Sequence, residues 1–180
     1  MRNIAPKSLA IVLLGLLSQA IFAAPRLAIL DFELKDLTLA PRIPTEIQRT
    51  ASIKPLLEGE LRSAGYEITQ IPLTAQQTAN SGVGYLFDHA DAAAELGKSF
   101  GADYVLVGRL HKPSFLFAYL MGNLVKVGTD RWMAQFVTES KGPNAELVIK
   151  AVESLSDKID NQLENRYTPP PPAKLKPLRP

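Results

Sequence analysis

Two acidic residues, Asp31 and Glu33, stand two positions apart at the end of an apolar stretch that begins at Arg26. Carboxylates with this D-x-E spacing could hold a divalent cation or support phosphoryl transfer. The strand-end motif of phosphatases with an aspartate nucleophile begins in the same way. The next residues, Leu34 to Asp36, lack the hydroxyl that this motif contains. We therefore favour a strand that enters solvent through charged residues.

A second polar group follows a later apolar stretch, around His111. If that stretch is a buried strand, the sheet would present these side chains to a protein partner or an anion. The alternative is that the charges only solvate the end of the strand. With the D-x-E pair, the candidate binding residues are Asp31, Glu33, Arg109, His111, Lys112 and Ser114.

A third cluster, Asp88, His89 and Asp91, has the D-H-x-D pattern of a metal site. Acidic residues also cap helices and stabilise their N-termini, and no second ligand cluster occurs in the chain, so we favour capping. The chain contains no cysteine and only two histidines. Disulfides, thiolate metal sites, a cysteine nucleophile and a lipid-anchor cysteine are therefore excluded, and we expect neither a metal nor a cofactor.

Three functions remain open at this point. The first is a non-catalytic binding module, which the absence of a nucleophile–base–acid set favours. The second is a small metal-dependent or acid–base hydrolase that uses Asp31, Glu33 and His111, whose side chains would have to converge to about 3 Å. The third is a carrier, which needs an apolar cavity of several hundred cubic ångströms, of the order of 300 Å³ or more, and nothing in the sequence leads us to expect one.

The elements that must position these residues alternate between strands and helices. Apolar residues on both faces of Ala102–Leu110 predict a fully buried central strand, and Arg26–Leu34 reads as its parallel neighbour. The helix after the first strand begins either at Ser52 or at a capping box of Thr45 and Gln48. The predicted strands are Arg26–Leu34, Tyr66–Ile71, Ala102–Leu110, Phe115–Val127 and Arg131–Thr138; the predicted helices are Ser52–Ala64, Asp88–Gly101 and Asn144–Leu163.

Three local features complete this prediction. Residues 74–84 are small, polar and glycine-bearing, which favours a loop. Gly122 suggests a bulge within the long strand around it. If that strand lies at an exposed edge of the sheet, the protein could form a homodimer by strand pairing.

The two ends of the chain have compositions of their own. Residues 1–23 combine a positive start, a short apolar core and small residues before Ala23, which predicts a cleaved signal peptide rather than an uncleaved anchor. Without Arg2 and Lys7 the chain has 18 basic and 18 acidic residues, so no electrostatic attraction to nucleic acid is expected. Residues 168–180 are Pro-rich and basic, and we read them as a flexible spacer rather than a binding tail.

The segments RLAILDFEL and FGADYVLVGRLHKPSFLFAYL resemble a family of secreted bacterial proteins of unknown function, described as predicted periplasmic proteins. The match runs from Arg26 to about Leu163 and is most specific at G-A-D-Y-V-L-V-G. The same order of motifs is similar to the amino-terminal domain of the Tol-system propeller protein and related envelope lipoproteins. This resemblance implies a small α/β module that contacts other envelope proteins. The chain lacks the anchor cysteine and a propeller, so neither attachment nor partner carries over, and the family supplies no catalytic residues.

The sequence thus predicts an α/β fold of the kind found in the TolB amino-terminal domain. A mixed sheet of about five strands, in the order βαβαβββα, would occupy residues 24–167 between a signal peptide and the tail. The predicted function is a non-catalytic periplasmic protein that binds an envelope protein, without a stable membrane anchor after cleavage.

Overall fold

The computed structural model describes residues 24–129, 131–141 and 145–163. The predicted signal peptide, the helix cap at Asn144 and the Pro-rich tail lie outside these residues. The strands are β1 (Arg26–Ile29), β2 (Glu33–Asp36), β3 (Glu67–Thr69), β4 (Tyr104–Lys112), β5 (Phe117–Lys126) and β6 (Trp132–Lys141). The helices are α1 (Pro44–Ser63), α2 (Leu73–Ala79), α3 (Tyr85–Asp88), α4 (Ala90–Ser99) and α5 (Ala145–Leu163).

The strands form one mixed six-stranded sheet, in which five strands have the order β3-β1-β4-β5-β6. The sixth, β2, also pairs with β4, further along that strand than β1. The β1–β3, β1–β4 and β2–β4 pairs are parallel, and β5 and β6 complete an antiparallel meander. Apolar residues of α1 and α5 cover one face, and those of α3 and α4 cover part of the other. This is the α/β architecture that the order of motifs predicts.

The strand β4 lies in the middle of the sheet, as predicted. Val105 and Leu106 are fully buried on opposite faces, and Tyr104 is half-buried at the start of the strand. Gly97 of α4 lets this helix approach closely, since a Cβ there would overlap the side chain of Val105. The buried strand therefore fixes the helices on both sides.

The first predicted strand is divided in two, so its single-strand interpretation was wrong. The ladder on β4 breaks between β1 and β2, where the ring of Phe32 packs directly over Gly108. Asp31 lies in this break rather than at a strand end, and Glu33 opens β2. Phe32 thus joins the core cluster of Ile29, whereas uninterrupted alternation would place it on the opposite face with Leu30.

The helix α1 also differs from the prediction. It begins at Pro44, preceded by Ile43, with no side-chain hydrogen bond at its cap, and Pro55 lies inside it. Ser52 instead donates from Oγ to the carbonyl of Arg49 within the helix. Both predicted caps were wrong, because proline at the first position supplies a helical φ without needing a capped amide.

Residues 74–84 are not a simple loop, because α2 occupies Leu73–Ala79. The next helix does not open at Asp88 either: α3 ends there, and α4 starts at Ala90 after His89. Neither helix has a side-chain hydrogen bond at its N-cap. The capping role predicted for the D-H-x-D cluster was therefore wrong.

The strand β5 is an interior strand, flanked by β4 and β6. Dimerisation through an exposed edge of β5 is thereby excluded. Gly122 sits in regular register opposite Gly108 and Phe136, and the irregularity falls between Leu124 and Val125 instead. The predicted bulge at Gly122 was wrong.

Candidate functional site

The candidate residues on β4 are divided between the two faces of the sheet. Arg109 stacks its guanidinium on the ring of Phe87 in α3, 3.9 Å from the ring centroid. Lys112 reaches the opposite face, where its Nζ donates to Oε1 of Glu46 in α1 at 2.8 Å. Because successive strand residues alternate between faces, His111 shares the face of Arg109. The six candidates therefore do not form one cluster.

Arg109 and Glu33 form a half-buried ion pair. Two nitrogens of the guanidinium donate to Oε2 of Glu33, at 3.1 and 3.3 Å. Gly84, with a φ of +80°, lies against the pair, and a Cβ there would crowd both side chains. The Asp88 carboxylate is 3.9 Å away and mostly exposed. The pair therefore joins β2 to β4 and contacts Gly84 before α3. Neither side chain is directed freely into solvent.

Asp31 is held at the break between β1 and β2. Its carboxylate accepts a hydrogen bond from Nζ of Lys54 in α1 at 2.9 Å. Gln76 of α2 binds its backbone twice: Oε1 accepts from the Asp31 amide at 2.8 Å, and Nε2 donates to the Asp31 carbonyl at 2.9 Å. Asp31 therefore joins α1 and α2 to the end of β1.

Lys112 belongs to a buried charge network that the sequence analysis missed. Glu46 accepts from both Lys112 and Arg49, and Arg49 also donates to Oγ and the carbonyl oxygen of Ser140 in β6. All four residues are buried. The spacing of Glu46 and Arg49, three residues apart on a helix, was the available signal, but the predicted helix Ser52–Ala64 excludes both residues.

His111 faces positive charge rather than an acid. Burial, together with the charges of Lys35 and Arg109, holds the pKa of its imidazole below the ordinary value of 6.5. Its Nδ1 is buried and has no hydrogen-bond partner among the described residues. Asp31 pairs with Lys54 instead. The acid–imidazole pair that the hydrolase alternative needs is therefore not favoured.

The lowered pKa gives His111 a defined effect on stability. The unfolded chain takes up a proton on this residue first as the pH falls below 6.5, so protonation favours unfolding and stability decreases toward acid. We expect H111Q to weaken this decrease between about pH 7 and pH 5, measured as the shift in urea midpoint between the two values. The matched comparison is H89Q, which replaces the exposed His89 and is measured in the same way. An unchanged shift in H111Q would contradict the assignment.

Ser114 shapes the hairpin between β4 and β5. Its Oγ accepts from the amides of Leu116 and Phe117, at 3.3 and 3.2 Å. Phe115 and Leu116 at the tip are 59% and 72% exposed. Nζ of Lys112 lies 5.8 Å from the Phe115 ring, a cation–π distance. Ser114 therefore positions exposed apolar side chains rather than offering a free hydroxyl to a ligand.

These residues form part of a larger apolar surface at the carboxyl ends of β2 and β4. We call it the apolar end surface; it comprises Leu37, Leu39, Ile43, Phe115, Leu116 and Phe117, all of them exposed. A cavity of about 360 Å³ lies among Ile43, Phe115 and Phe117, with Lys112 and Glu46 in its lining. The aromatic run after Pro113 was the signal in the sequence, but it was read as part of a strand.

The loop that carries Leu39 is fixed by Asp36 at the end of β2. The Asp36 carboxylate accepts from the amide and hydroxyl of Thr38 and from the amide of Arg42. Burial alone would raise the pKa of Asp36, but these hydrogen bonds, with the charge of Lys112, lower it overall. An ionised carboxylate thus organises the loop between β2 and α1.

A cleft of about 470 Å³ opens at the break between β1 and β2, between α1 and α2. The sequence analysis did not predict a cavity of this size. The cleft exists because β3 ends at Thr69, opposite Ala28, and α2 lies beyond it. In open α/β sheets, ligands bind in such crevices outside the carboxyl ends of the strands.

Within residues 24–129, 131–141 and 145–163, no three histidine or acidic side chains are grouped so that they could hold a metal ion. No helix in the described part of the chain is both long and apolar enough to cross a membrane.

The fold and the paired candidate residues define a small α/β domain that carries an exposed apolar surface. The chain belongs to the DUF3280 family, described as a protein of unknown function (DUF2380), which matches residues 25–159. This confirms the resemblance to a family of unknown function that the strand motifs indicated. No curated protein matches the chain significantly.

Solved structures with a similar fold have low sequence identity. PelC from Paraburkholderia phytofirmans, a dodecamer, has a TM-score of 0.51 and 17% identity over 80% of this chain and 90% of its own. TolB from Acinetobacter baumannii has a TM-score of 0.49 and 16% sequence identity, over 78% of this chain and 28% of the TolB chain. The lipoprotein GNA1162 from Neisseria meningitidis has a TM-score of 0.48 and 13% sequence identity, over 76% of this chain and 99% of its own. The likeness to PelC shows the fold alone, and this chain spans little more than a quarter of the TolB chain.

Proposed function

We propose that this is a non-catalytic periplasmic protein that binds another protein of the cell envelope through the apolar end surface. The observation that carries the proposal is the exposure of this surface, in which Leu39 is 97% exposed. Contiguous exposed apolar patches on a soluble domain mark sites of interaction with other molecules. The buried charges beneath it, on Glu46, Arg49 and Lys112, are bound to one another, which leaves apolar burial as the main attraction available there.

In this proposal five of the six candidate residues, all except His111, position the surface or brace the sheet beneath it. Lys112 anchors the end of β4 to α1, and Ser114 shapes the tip of the hairpin. Arg109 with Glu33 holds β2 on β4. Each role follows from a hydrogen bond within the chain, so none of these residues needs a substrate to explain it.

The proposed location rests on the sequence. The signal peptide over residues 1–23 directs export and is removed after Ala23. The single domain over residues 24–167 then acts in the periplasm, and the Pro-rich segment from Thr168 serves as a spacer. The likeness to a lipoprotein and to TolB agrees with an envelope setting without identifying a partner.

Site-specific cross-linking in cells tests the proposal. The protein, expressed in a native host with a photoreactive residue at Leu116 or Leu39, should be recovered from the periplasmic fraction with Ala24 as its first residue. Irradiation should give the same discrete cross-linked protein from both positions, because both lie on the apolar end surface.

The control position is Lys98, which is exposed near the end of α4 and leads into the start of β4, at the opposite end of that strand. It should give no such product. Adding L116S to the variant labelled at Leu39 should reduce its cross-link about tenfold without changing the melting temperature, because exposed substitutions alter stability little. Equal cross-linking at Lys98, or a protein retained in the cytoplasm, would contradict the proposal.

A further inference from the structure

One side of the β1–β2 segment has backbone pairing for only part of its length. β3 pairs with β1 up to the contact of Thr69 with Ala28. Beyond it, the side chain of Gln76 binds the amide and the carbonyl of Asp31, as a residue of a neighbouring strand would. Further along, β2 is paired with β4 alone. The place beside β2 is therefore a vacant strand position in the described sheet.

The register of β2 shows which backbone groups face that position. The amide of Leu37 donates to the carbonyl of Lys112 in β4 at 2.9 Å. In a parallel ladder alternate residues face the same neighbour, so the amides and carbonyls of Leu34 and Asp36 point away from β4. No hydrogen bond joins these outward groups to another described residue. They form a short unpaired edge.

The cleft of about 470 Å³ adjoins the start of this edge at Leu34, and a second hollow of about 330 Å³ continues past Asp36. Arg42 and Val83 line both. The wall of the larger cleft opposite β2 includes Ile47 of α1, Leu73 of α2 and Val83, and each of these side chains is at least 46% exposed. Four residues of β2 extend over about 13 Å. The cleft thus offers unpaired backbone groups on one side and apolar side chains on the other, which are the two features that strand addition uses.

Arg42 gives the cleft a positive charge. Its backbone is in the left-handed region, with a φ of 59°, and its amide donates to Oδ2 of Asp36 at 3.1 Å. Its guanidinium has no partner among the described residues. The two acidic residues in the cleft lining, Asp31 and Glu33, are each paired with a cation already. A carboxylate is therefore the charged group that this site would attract.

The other edges of the sheet are less suited to pairing. On β6 the carbonyl of Val137 accepts a hydrogen bond from Nζ of Lys158 at 2.6 Å, so a lysine of α5 covers the middle of that edge. A lysine at an edge is a known means of discouraging strand pairing. β3 has only three residues. Hollows of about 700 Å³ and 320 Å³ also adjoin β6, but the Lys158 contact interrupts that edge. Among the described residues, no such contact covers the outward groups of Leu34 and Asp36, so we favour the β2 edge.

We propose that the outer edge of β2 binds an extended segment of a partner protein as an added strand, with Arg42 binding a carboxylate of that segment. This inference rests on the proposed function, because it gives the same kind of partner a second contact. Apolar side chains of the segment would alternate with polar ones, so that one set packs on Leu73 and Val83 while the other faces solvent.

Short synthetic peptides test the proposal on the exported full chain. The peptide is about six residues long, the usual length of a strand, alternates valine and threonine, and carries one central glutamate. Binding should slow hydrogen exchange at the amides of Leu34 and Asp36, as measured by NMR. R42Q should weaken binding about tenfold, whereas K98Q, which removes an exposed cation at the far end of the sheet, should leave it unchanged. A glutamine peptide should bind with equal affinity to the wild type and R42Q.

Three outcomes would overturn the proposal. The first is an unchanged exchange rate at Leu34 and Asp36 with every peptide. The second is undiminished binding of a peptide methylated on its backbone nitrogens, since that change removes the strand donors. The third is protection of these amides without peptide as the protein concentration rises, which would make a second copy the occupant. These results concern β2 alone, whereas cross-linking at Leu116 reports on the proposed function, so either can fail without the other.

Discussion

E46A is expected to lower the free energy of unfolding by about 3 to 5 kcal/mol. Glu46 is the shared acceptor of Lys112 and Arg49, and all three are buried. Alanine would leave both buried cations without a carboxylate. The loss is large because desolvated charge is left uncompensated, not because the pair is strongly stabilising. Urea unfolding of the wild type and E46A measures it.

The matched control is E95A, which removes an ion pair on the surface. Glu95 and Lys98 lie 3.3 Å apart, with 71% and 67% of their side chains exposed, so the expected loss is below about 0.5 kcal/mol. A triple variant with methionine at Glu46, Arg49 and Lys112 should recover most of the stability, because no unpaired charge remains. If E46A and E95A were equally stable, Glu46 would not be compensating buried charge.

The sequence predicted the elements whose patterns are local and long. β4 carries apolar residues on both faces, and α5 has a stripe of buried residues from Val148 to Ile159. The turn chemistry at Gly128, which has a φ of 86°, places β5 and β6 in a hairpin. In these elements the local preference for a strand or a helix agrees with the final packing, so the sequence alone was sufficient to predict them.

The errors arose where contacts between distant residues decide the structure. Alternation over Arg26–Leu34 is that of one strand, yet the strand divides because Phe32 meets Gly108, which is 76 positions away in the sequence. The first turn of α1 holds Glu46 against Lys112, so the helix extends further toward its N-terminus than the periodicity indicates. No pattern within either segment carries this information.

The sequence identified charged residues of the candidate site but not the partners that each of them binds. The sequence placed Glu33 and Arg109 on neighbouring parallel strands, where they are paired, although Glu33 begins a strand rather than ending one. It could not show that the pairing leaves both unavailable, since that depends on the position of Phe87 beneath the guanidinium. Residue type limits the chemistry, whereas burial and partners decide whether it is free to occur.

G108A is expected to destabilise the protein by about 2 to 3 kcal/mol, the usual cost of overfilling a packed core. A Cβ at this position would overlap the ring of Phe32, which is 9% exposed and packs in the core between the sheet and α1. The ring is rigid and cannot turn aside within its site. It must leave the core, or β2 must separate from β4. Chemical denaturation of the purified variant measures the loss.

A double variant distinguishes this contact from a general intolerance of β4 to substitution. In an F32L background the ring is absent, so adding G108A should cost at least about 1 kcal/mol less than it does in the wild type. G59A in α1 supplies the control for replacing glycine, since nothing lies within 4 Å of its added Cβ. It should stabilise the protein by about 0.5 to 1 kcal/mol, because alanine favours a helix over glycine. If G108A cost the same with and without the Phe32 ring, the division of β1 from β2 would need another cause.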